Sequence, residues 1–339
     1  MGQKRMQKQE TESKWNEKMK TAAGQNGTAA KPGAGQNSGP QQVKTPSVKL
    51  NGEAPAGRSH IVESLIDMFR VNKLALASLI VIVLVILAAI FAPLLIPYDP
   101  AKQDLLNRLQ GPSAAHLLGT DNLGRDTFSR ILMGTRVSIV IGLAPTLISM
   151  IIGTLLGMIA GYCGKKVDFV IMRLADIMLA FPSLLLAMVV MYTLGGGLIN
   201  IFIALSMISW AQTARVVRAQ TLSLRKAEYV QAAESIGVGK WTIMFRHILP
   251  NCLPSLIVLF TMNIPGNILQ ESSLSFLGIG AQPPSTSWGL MVTEGKQYLF
   301  NAPILALAPG VAILILVLAF NFLGDGLRDA LDPYLDQKS

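Results

Sequence analysis

Leu74 to Ile96 carries no charged side chain and a single polar one, Ser78. A hydrocarbon core of about 30 Å is crossed by about 20 helical residues at a rise of 1.5 Å each, so this run is long enough to span a membrane. Tyr98-Asp99-Pro100 ends it, and the pattern returns along the chain. Val137 to Cys163 is charge-free and interrupted by Pro145. A third segment runs from about Phe169 to Thr193 and a fourth from Leu198 to about Ala214. The fifth covers Ile248 to Gln270, with Pro254, Pro265 and Gly266 inside it. The sixth covers Pro303 to Leu323 and is expected to break near Pro309-Gly310. The expectation is an all-α polytopic membrane protein with six transmembrane helices. Composition agrees: 51% of the 339 residues are hydrophobic and 14% charged, against about 25% charged in a soluble domain.

The formal net charge of +9 would point to nucleic acid in a soluble protein. Here the basic residues flank apolar runs, so they are read as orienting the chain in a membrane, and no nucleic-acid partner is expected. Lys165, Lys166, Arg173, Arg215, Arg218, Arg225, Lys226, Lys240 and Arg246 fall in alternate loops, where Lys and Arg mark the cytoplasmic side. Both termini are then cytoplasmic, in a multi-pass protein of the inner membrane. Residues 1–57 are polar and almost free of aliphatic clusters, which predicts a disordered cytoplasmic tail. No apolar stretch lies near the N-terminus, so no signal peptide is expected. Residues 58–136 comprise a short amphipathic segment, the first span and an extracytoplasmic loop. In the amphipathic segment Leu65, Phe69 and Leu74 would face lipid, with Arg70 and Lys73 at the headgroups. Residues 137–325 form the core, and 326–339 a cytoplasmic C-terminal tail.

Ionisable groups are few within the spans. Arg173 and Asp176, three apart, share a helical face and are read as a mutually satisfied pair with Arg173 reaching the interface. Gly119, Asp121, Gly124, Arg125 and Asp126 make a Gly- and Asp-rich turn before a short helix from Thr127. They are read as a solvated, self-paired structural motif rather than a catalytic or metal cluster. The 2 cysteines, Cys163 and Cys252, stand at edges of apolar runs and suit neither a disulfide framework nor a metal pair. The 3 histidines are spread along the chain, and G-x-x-x-x-G-K-[ST], H-E-x-x-H and C-x-x-C are all missing. Neither catalysis nor a cofactor is expected.

Between the fourth and fifth runs lies Glu228 to Pro250, EYVQAAESIGVGKWTIMFRHILP, a long polar interruption. Tyr229, Ala232, Ala233 and Ile236 fall at i, i+3, i+4 and i+7, one stripe of a helix. Gly237 stands where a helix C-terminus wants a left-handed residue. Leu249-Pro250 opens the next run, and proline suits a first helical turn. Periodicity alone also fits a helix lying on the lipid surface. Ala232-Ala233, Gly237 and Leu249-Pro250, however, resemble the loop signature of ATP-binding-cassette (ABC) importer permeases: E-A-A, three residues, G, nine residues, I, one residue, L-P. Gln231 and His247 depart from it. FRHILPN, the stretch HLLGTDNLGRDTFSR at 116–130, FLGIGAQPPSTSWG and NFLGDGLRDALDP are similar to the C-type permease subunit of dipeptide and oligopeptide importers.

The resemblance implies a type I ABC importer permease fold and transport of dipeptides or oligopeptides. Import of nickel, glutathione or antimicrobial peptides on the same architecture is the alternative. An ion-gradient-driven secondary transporter is an alternative of another class, disfavoured because no charge sits centrally in any span. The implied partners are a second homologous permease, cytoplasmic ABC ATPase subunits and an extracytoplasmic peptide-binding protein, with membrane lipid around them. ATP would be hydrolysed on the separate ATPase subunits. The family's coupling helix falls on 226–237. Glu228, Tyr229, Ala232, Ala233, Glu234, Gly237, Leu249 and Pro250 become the ATPase-coupling residues, with Glu228 and Glu234 expected to pair with ATPase cations.

Overall fold

The computed structural model describes residues 68–70 and 72–331. The expected tail at 1–57, most of the amphipathic segment and residues 332–339 lie outside these. Among the described residues the regular structure is helical, apart from one extended bridge between Thr120 and Asp126. Asn72 starts α1 (Lys73–Leu95), its side chain accepting from the Leu74 and Ala75 amides and so pairing two otherwise orphaned donors. Phe69, expected to face lipid, instead packs on the cluster formed by α1 and the last helix.

Asp126 caps α2 (Thr127–Cys163), which begins ten residues before the expected Val137 and takes up Arg130 and Arg136. The third expected span is two helices, α3 (Lys165–Ala180) and α4 (Ser183–Leu194), set 95° apart. Pro182 causes the break: it lacks an N–H and drives the preceding residue out of the helical region, and Phe181 is extended at φ −100°, ψ 144°. α5 (Leu198–Leu224) returns across the bundle. A short helix, α6 (Glu228–Ser235), follows. α7 then runs unbroken over Lys240–Phe276, with a π-helical turn at Met244–Ile248. After a hairpin come α8 (Trp288–Gly295) and α9 (Ile304–Leu331). α9 does not break at Pro309, and it continues past 326 with Gly326 and Leu327 buried.

By length and composition, α1, α2, α7 and α9 can each cross a membrane, and the bent pair α3–α4 makes up to 5. The six expected apolar crossings are therefore not all matched. α5 is long enough, but Gln212, Arg215, Arg218 and Gln220 dilute its second half.

α2 and α5 share the longest seam. Gly153, Gly157 and Gly161 recur every fourth residue on α2, and α5 lies directly on them. A Cβ on Gly157 would stand 2.6 Å from the Ala214 carbonyl oxygen, and one on Gly161 2.7 Å from the Thr221 Cβ. Lipid supplies no hydrophobic drive between helices, so close van der Waals contact over small residues holds such pairs together. Large apolar side chains elsewhere, among them Leu84, Ile151, Val189 and Leu314, point outward as a lipid-facing surface must.

At the end of the bundle opposite α6, the 98–126 loop folds on a buried ion cluster. Asp121 accepts from the Leu123 amide at 2.8 Å, the Arg125 amide at 3.0 Å, Arg125 Nε at 2.6 Å and the Arg130 guanidinium. Glu294 on α8 accepts from Arg125 Nη2 at 3.1 Å and Arg130 Nη2 at 2.8 Å. Asp126 accepts from the Ser129 amide at 2.8 Å and lies 2.9 Å from His116 Nδ1. Gly124 (φ +74°) sits where a Cβ would land 1.7 Å from the Asp104 carbonyl oxygen, and Gly119 where one would land 2.3 Å from that of Gln110. The motif is thus self-paired but not solvated: Asp121 is 5% and Arg130 2% exposed. It also has a partner, Glu294, that the local sequence does not announce.

Three stability outcomes follow from this packing. Gly157→Leu should destabilise the detergent-purified protein by about 1–3 kcal/mol by overpacking. Gly266→Ala, whose new methyl meets nothing within 4 Å, should leave it within about 0.5 kcal/mol or stabilise it. Asp121→Ala, which strands two guanidinium groups inside, should cost about 3–5 kcal/mol. Thermal unfolding followed by tryptophan fluorescence reads all three.

Candidate functional site

α5 ends at Leu224, and a tight turn follows in which the Lys226 amide donates to the Ser223 carbonyl at 3.0 Å and that of Ala227 to Leu224 at 3.0 Å. α6 follows directly. Glu228 in its first turn sits favourably at the positive end of the helix dipole. Val230 and Ala233 face inward against Met158, Tyr162, Val217 and Ile243. Tyr229, Ala232 and Ile236 face outward, with Ile236 81% exposed.

The expected stripe is therefore split. Tyr229, Ala232 and Ile236 share an open face, while Ala233, 7% exposed, belongs to the core behind it.

Gly237 ends α6 at φ +83°. Its amide donates to the Glu234 carbonyl and the Val238 amide to that of Ala233, both at 3.1 Å. This is a Schellman ending, with the accompanying apolar contact made by Val238 and Ala233 in one cluster. Space is open around Gly237, so only its backbone angle demands glycine.

Glu234 does not stand free. It accepts from the Tyr162 hydroxyl at 2.7 Å and lies 3.7 Å from Arg225 Nε. Arg225 also donates to the Tyr162 carbonyl at 2.8 Å and stacks on its ring at 5.1 Å. Within the chain this carboxylate fastens α6 to the end of α2. Glu228 remains exposed. Beside it an open groove of about 660 Å³ is lined by Leu222, Arg225, Lys226, Gln231, Glu234 and Ser235.

Leu249 and Pro250 do not open a helix, since α7 is already running from Lys240. Pro250 has no N–H to give, and in an α-helix its ring would meet the carbonyl four residues back. The π turn widens the backbone just before it, with the Leu249 amide reaching the Met244 carbonyl. Leu249 packs on the same core as α6. His247, where the family signature has Ile, points its ring toward Tyr229, the centroids 6.5 Å apart.

Two ion pairs clamp α3 to α5 at this end. Arg218 grips Asp168 with both Nε and Nη2, and Arg215 Nη2 reaches Asp176 at 2.8 Å. The expected Arg173–Asp176 pair does not form, because Arg173 lies over the Phe169 ring at 5.2 Å. No group of His, Cys, Asp and Glu arranged for a metal occurs among the described residues.

Comparisons with known proteins agree with this architecture. The family model described as binding-protein-dependent transport system inner membrane component matches residues 153–337, and that of the N-terminal TM domain of oligopeptide transport permease C matches 65–112. A glutathione transport system permease protein of Pectobacterium atrosepticum is 48% identical over 265 residues, 78% of this chain and 88% of its own. A dipeptide transport system permease protein of Alkalihalophilus pseudofirmus is 47% identical over 262 residues, 77% of this chain and 86% of its own. An oligopeptide transport system permease protein of Bacillus subtilis is 45% identical over 267 residues, 79% and 88%. Among solved structures, an inward-facing form of the MetNI methionine ABC transporter aligns with TM-score 0.51 at 17% identity, covering 60% of this chain and 96% of that one, which speaks for the fold. The chain belongs to the binding-protein-dependent transport inner-membrane family of ABC importer permeases, in its dipeptide and oligopeptide C-subunit branch.

Proposed function

We propose that this chain is one of two permease subunits of an ATP-driven importer for short peptides, and that α6 with Gly237 is where the ATPase acts on it. The observation that carries this is the open face of α6. Tyr229, Ala232 and Ile236 present an apolar surface outside the bundle, on a helix fastened at its C-terminal end by the Tyr162–Glu234–Arg225 lock and the Gly237 turn and packed on the core through Val230 and Ala233. A helix held this firmly carries force into α5 and α7 rather than absorbing it. A ligand-driven change needs contacts that differ between two states, and this face supplies them. Glu228, Tyr229, Ala232, Ile236 and Gly237 contact the ATPase. Ala233, Glu234 and Leu249 support them from behind, and Pro250 shapes the turn that follows.

The basic residues gathered at this end argue that it lies in the cytoplasm, with both termini on that side. The chain itself hydrolyses nothing. ATP is consumed on separate ATPase subunits, and an extracytoplasmic binding protein delivers the cargo to the other end. The relatives' names, glutathione, dipeptide and oligopeptide, have short peptide cargo in common, which supports the same class here. The division into a tail at 1–57, a leading region at 58–136, a core at 137–325 and a tail at 326–339 belongs to the same proposal.

Uptake of labelled di- to pentapeptides, glutathione and nickel ions, in cells with and without the gene, tests the cargo. Loss of peptide uptake is expected, and loss of nickel uptake alone would move the chain to a metal branch. Ile236→Glu and Gly237→Val should each lower peptide uptake at least tenfold and release the ATPase from the purified complex, with membrane insertion unchanged. Normal uptake with the ATPase still bound would sink the coupling role.

A further inference from the structure

The far end of α7 carries a second anchor that the transport family's loop signatures do not explain. Glu271 lies five residues before the end of α7 at Phe276 and is 1% exposed. A carboxyl in such a place is costly unless its oxygens are well bonded, and buried ionisable groups of membrane helices are functional candidates. Its bonding partners are hydroxyls. Ser275 Oγ donates to Oε1 at 2.7 Å, and Ser287 Oγ donates to the same oxygen at 2.7 Å.

Each serine hydroxyl continues into the hairpin between α7 and α8. Ser275 Oγ accepts from the Ala281 amide at 3.2 Å, and Ser287 Oγ caps α8 by accepting from the Leu290 amide at 3.1 Å. One carboxyl oxygen therefore ties α7 to both arms of the 277–287 hairpin. On the other side, Gly289 of α8 presses so close that a Cβ there would lie 2.6 Å from Ser272 Cα and 2.8 Å from Glu271 Oε2. From the hairpin the connections spread. The Gly197 amide donates to the Gly280 carbonyl at 3.3 Å, joining the α4–α5 turn. Trp288 donates from its backbone to Ser138 Oγ and from Nε1 to the Ile131 carbonyl, both at 3.1 Å, joining α2. Glu294 joins the loop that follows α1.

Glu271 thus stands where α7 meets everything at that end. The other end of α7 adjoins α6, and no break intervenes over Lys240–Phe276. At 1.5 Å per residue this helix is about 55 Å long.

We propose that Glu271 is a positioning residue that delivers movement of the α6 end to the opposite gate, by hydrogen bonding rather than by charge. The proposal rests on the coupling role of α6. When α7 shifts, the Ser287–Glu271 bond, and the Ser275 hydroxyl that Glu271 holds in place for the Ala281 amide, oblige the hairpin and α8 to shift with it. Ser272 Oγ and Glu271 Oε2 both face the Gly289 position, so an amide in place of the carboxyl keeps the acceptor at Oε1 and sets a donor beside the Ser272 hydroxyl.

The test uses the complete transporter with its companion subunits. Two readouts are taken: uptake of the labelled di- to pentapeptide mixture, and ATP hydrolysis by the purified complex with and without peptide-loaded binding protein. Glu271→Ala should lower uptake at least tenfold while the complex assembles and hydrolyses ATP, with stimulation by the binding protein lost. Glu271→Gln should stay within twofold of wild type in both. Wild-type uptake by Glu271→Ala, or a Gln variant as impaired as the Ala one, would overturn the proposal. Should the Ala variant fail to assemble, Ser275→Ala combined with Ser287→Ala replaces it. Loss of stimulation is expected there, and wild-type behaviour would overturn the proposal. Ile236→Glu separates the two readings. If it keeps the ATPase and transports, the coupling role itself has failed. If it releases the ATPase while Glu271→Ala behaves as wild type, only the role of Glu271 has failed.

Discussion

The approach of α5 to the glycine row of α2 underlies the rest of the molecule. With Gly153, Gly157 and Gly161 on the seam, the α5 backbone reaches the α2 surface itself. The last turns of both helices are thereby held together, so Tyr162 at the end of α2 and Arg225 just past the end of α5 meet. Their hydrogen bond and stacked contact form the seat to which Glu234 is fastened. Side chains in place of those hydrogens would separate the helices by ångströms, and the seat would be lost before any residue of α6 was altered. The arrangement works by van der Waals contact because lipid cannot drive apolar helices together.

The same economy governs the prolines. Pro145, Pro265 and Pro309, buried, and Pro93, exposed, all lie inside continuous helices, whereas Pro182 separates two helices 95° apart. A proline always removes one hydrogen bond, but the chain bends fully only where neighbours do not hold the flanking turns. α3 has a single buried residue, Ala175, and little restrains it except its ion pairs to α5. The result is a sharply bent pair of helices where the hydropathy pattern reads as the third full crossing.

What could be read from the sequence alone was local. The end of α6 at Gly237 was legible because a left-handed residue after a helix is a one-residue requirement. The limits of α1 were legible because the charge-free run and the Tyr98-Asp99-Pro100 that follows it mark them. The outward and inward faces of α6 were not: Ala232 and Ala233 have the same side chain, and only Val230 and the Tyr162 cluster decide which one is covered. Glu294 was not legible as a partner of Arg125, since 169 residues separate them. Glu271, just past the expected end of the fifth run at Gln270, was not legible as an anchor because Ser275, about one turn along, and Ser287, 16 residues along, are silent about which oxygens they seek.

Ala232 and Ala233 sit side by side in the chain yet answer to different masters. Ala233 is held to its size by this protein's own interior, so a larger side chain there would be felt by the isolated chain. Ala232 lies on the open face, where the isolated chain would tolerate bulk and only a bound neighbour would object. Under the proposed coupling role, two adjacent letters of one motif answer to two separate constraints, one internal and one shared with another molecule. Drift in the partner's surface would leave its mark on the first of them alone.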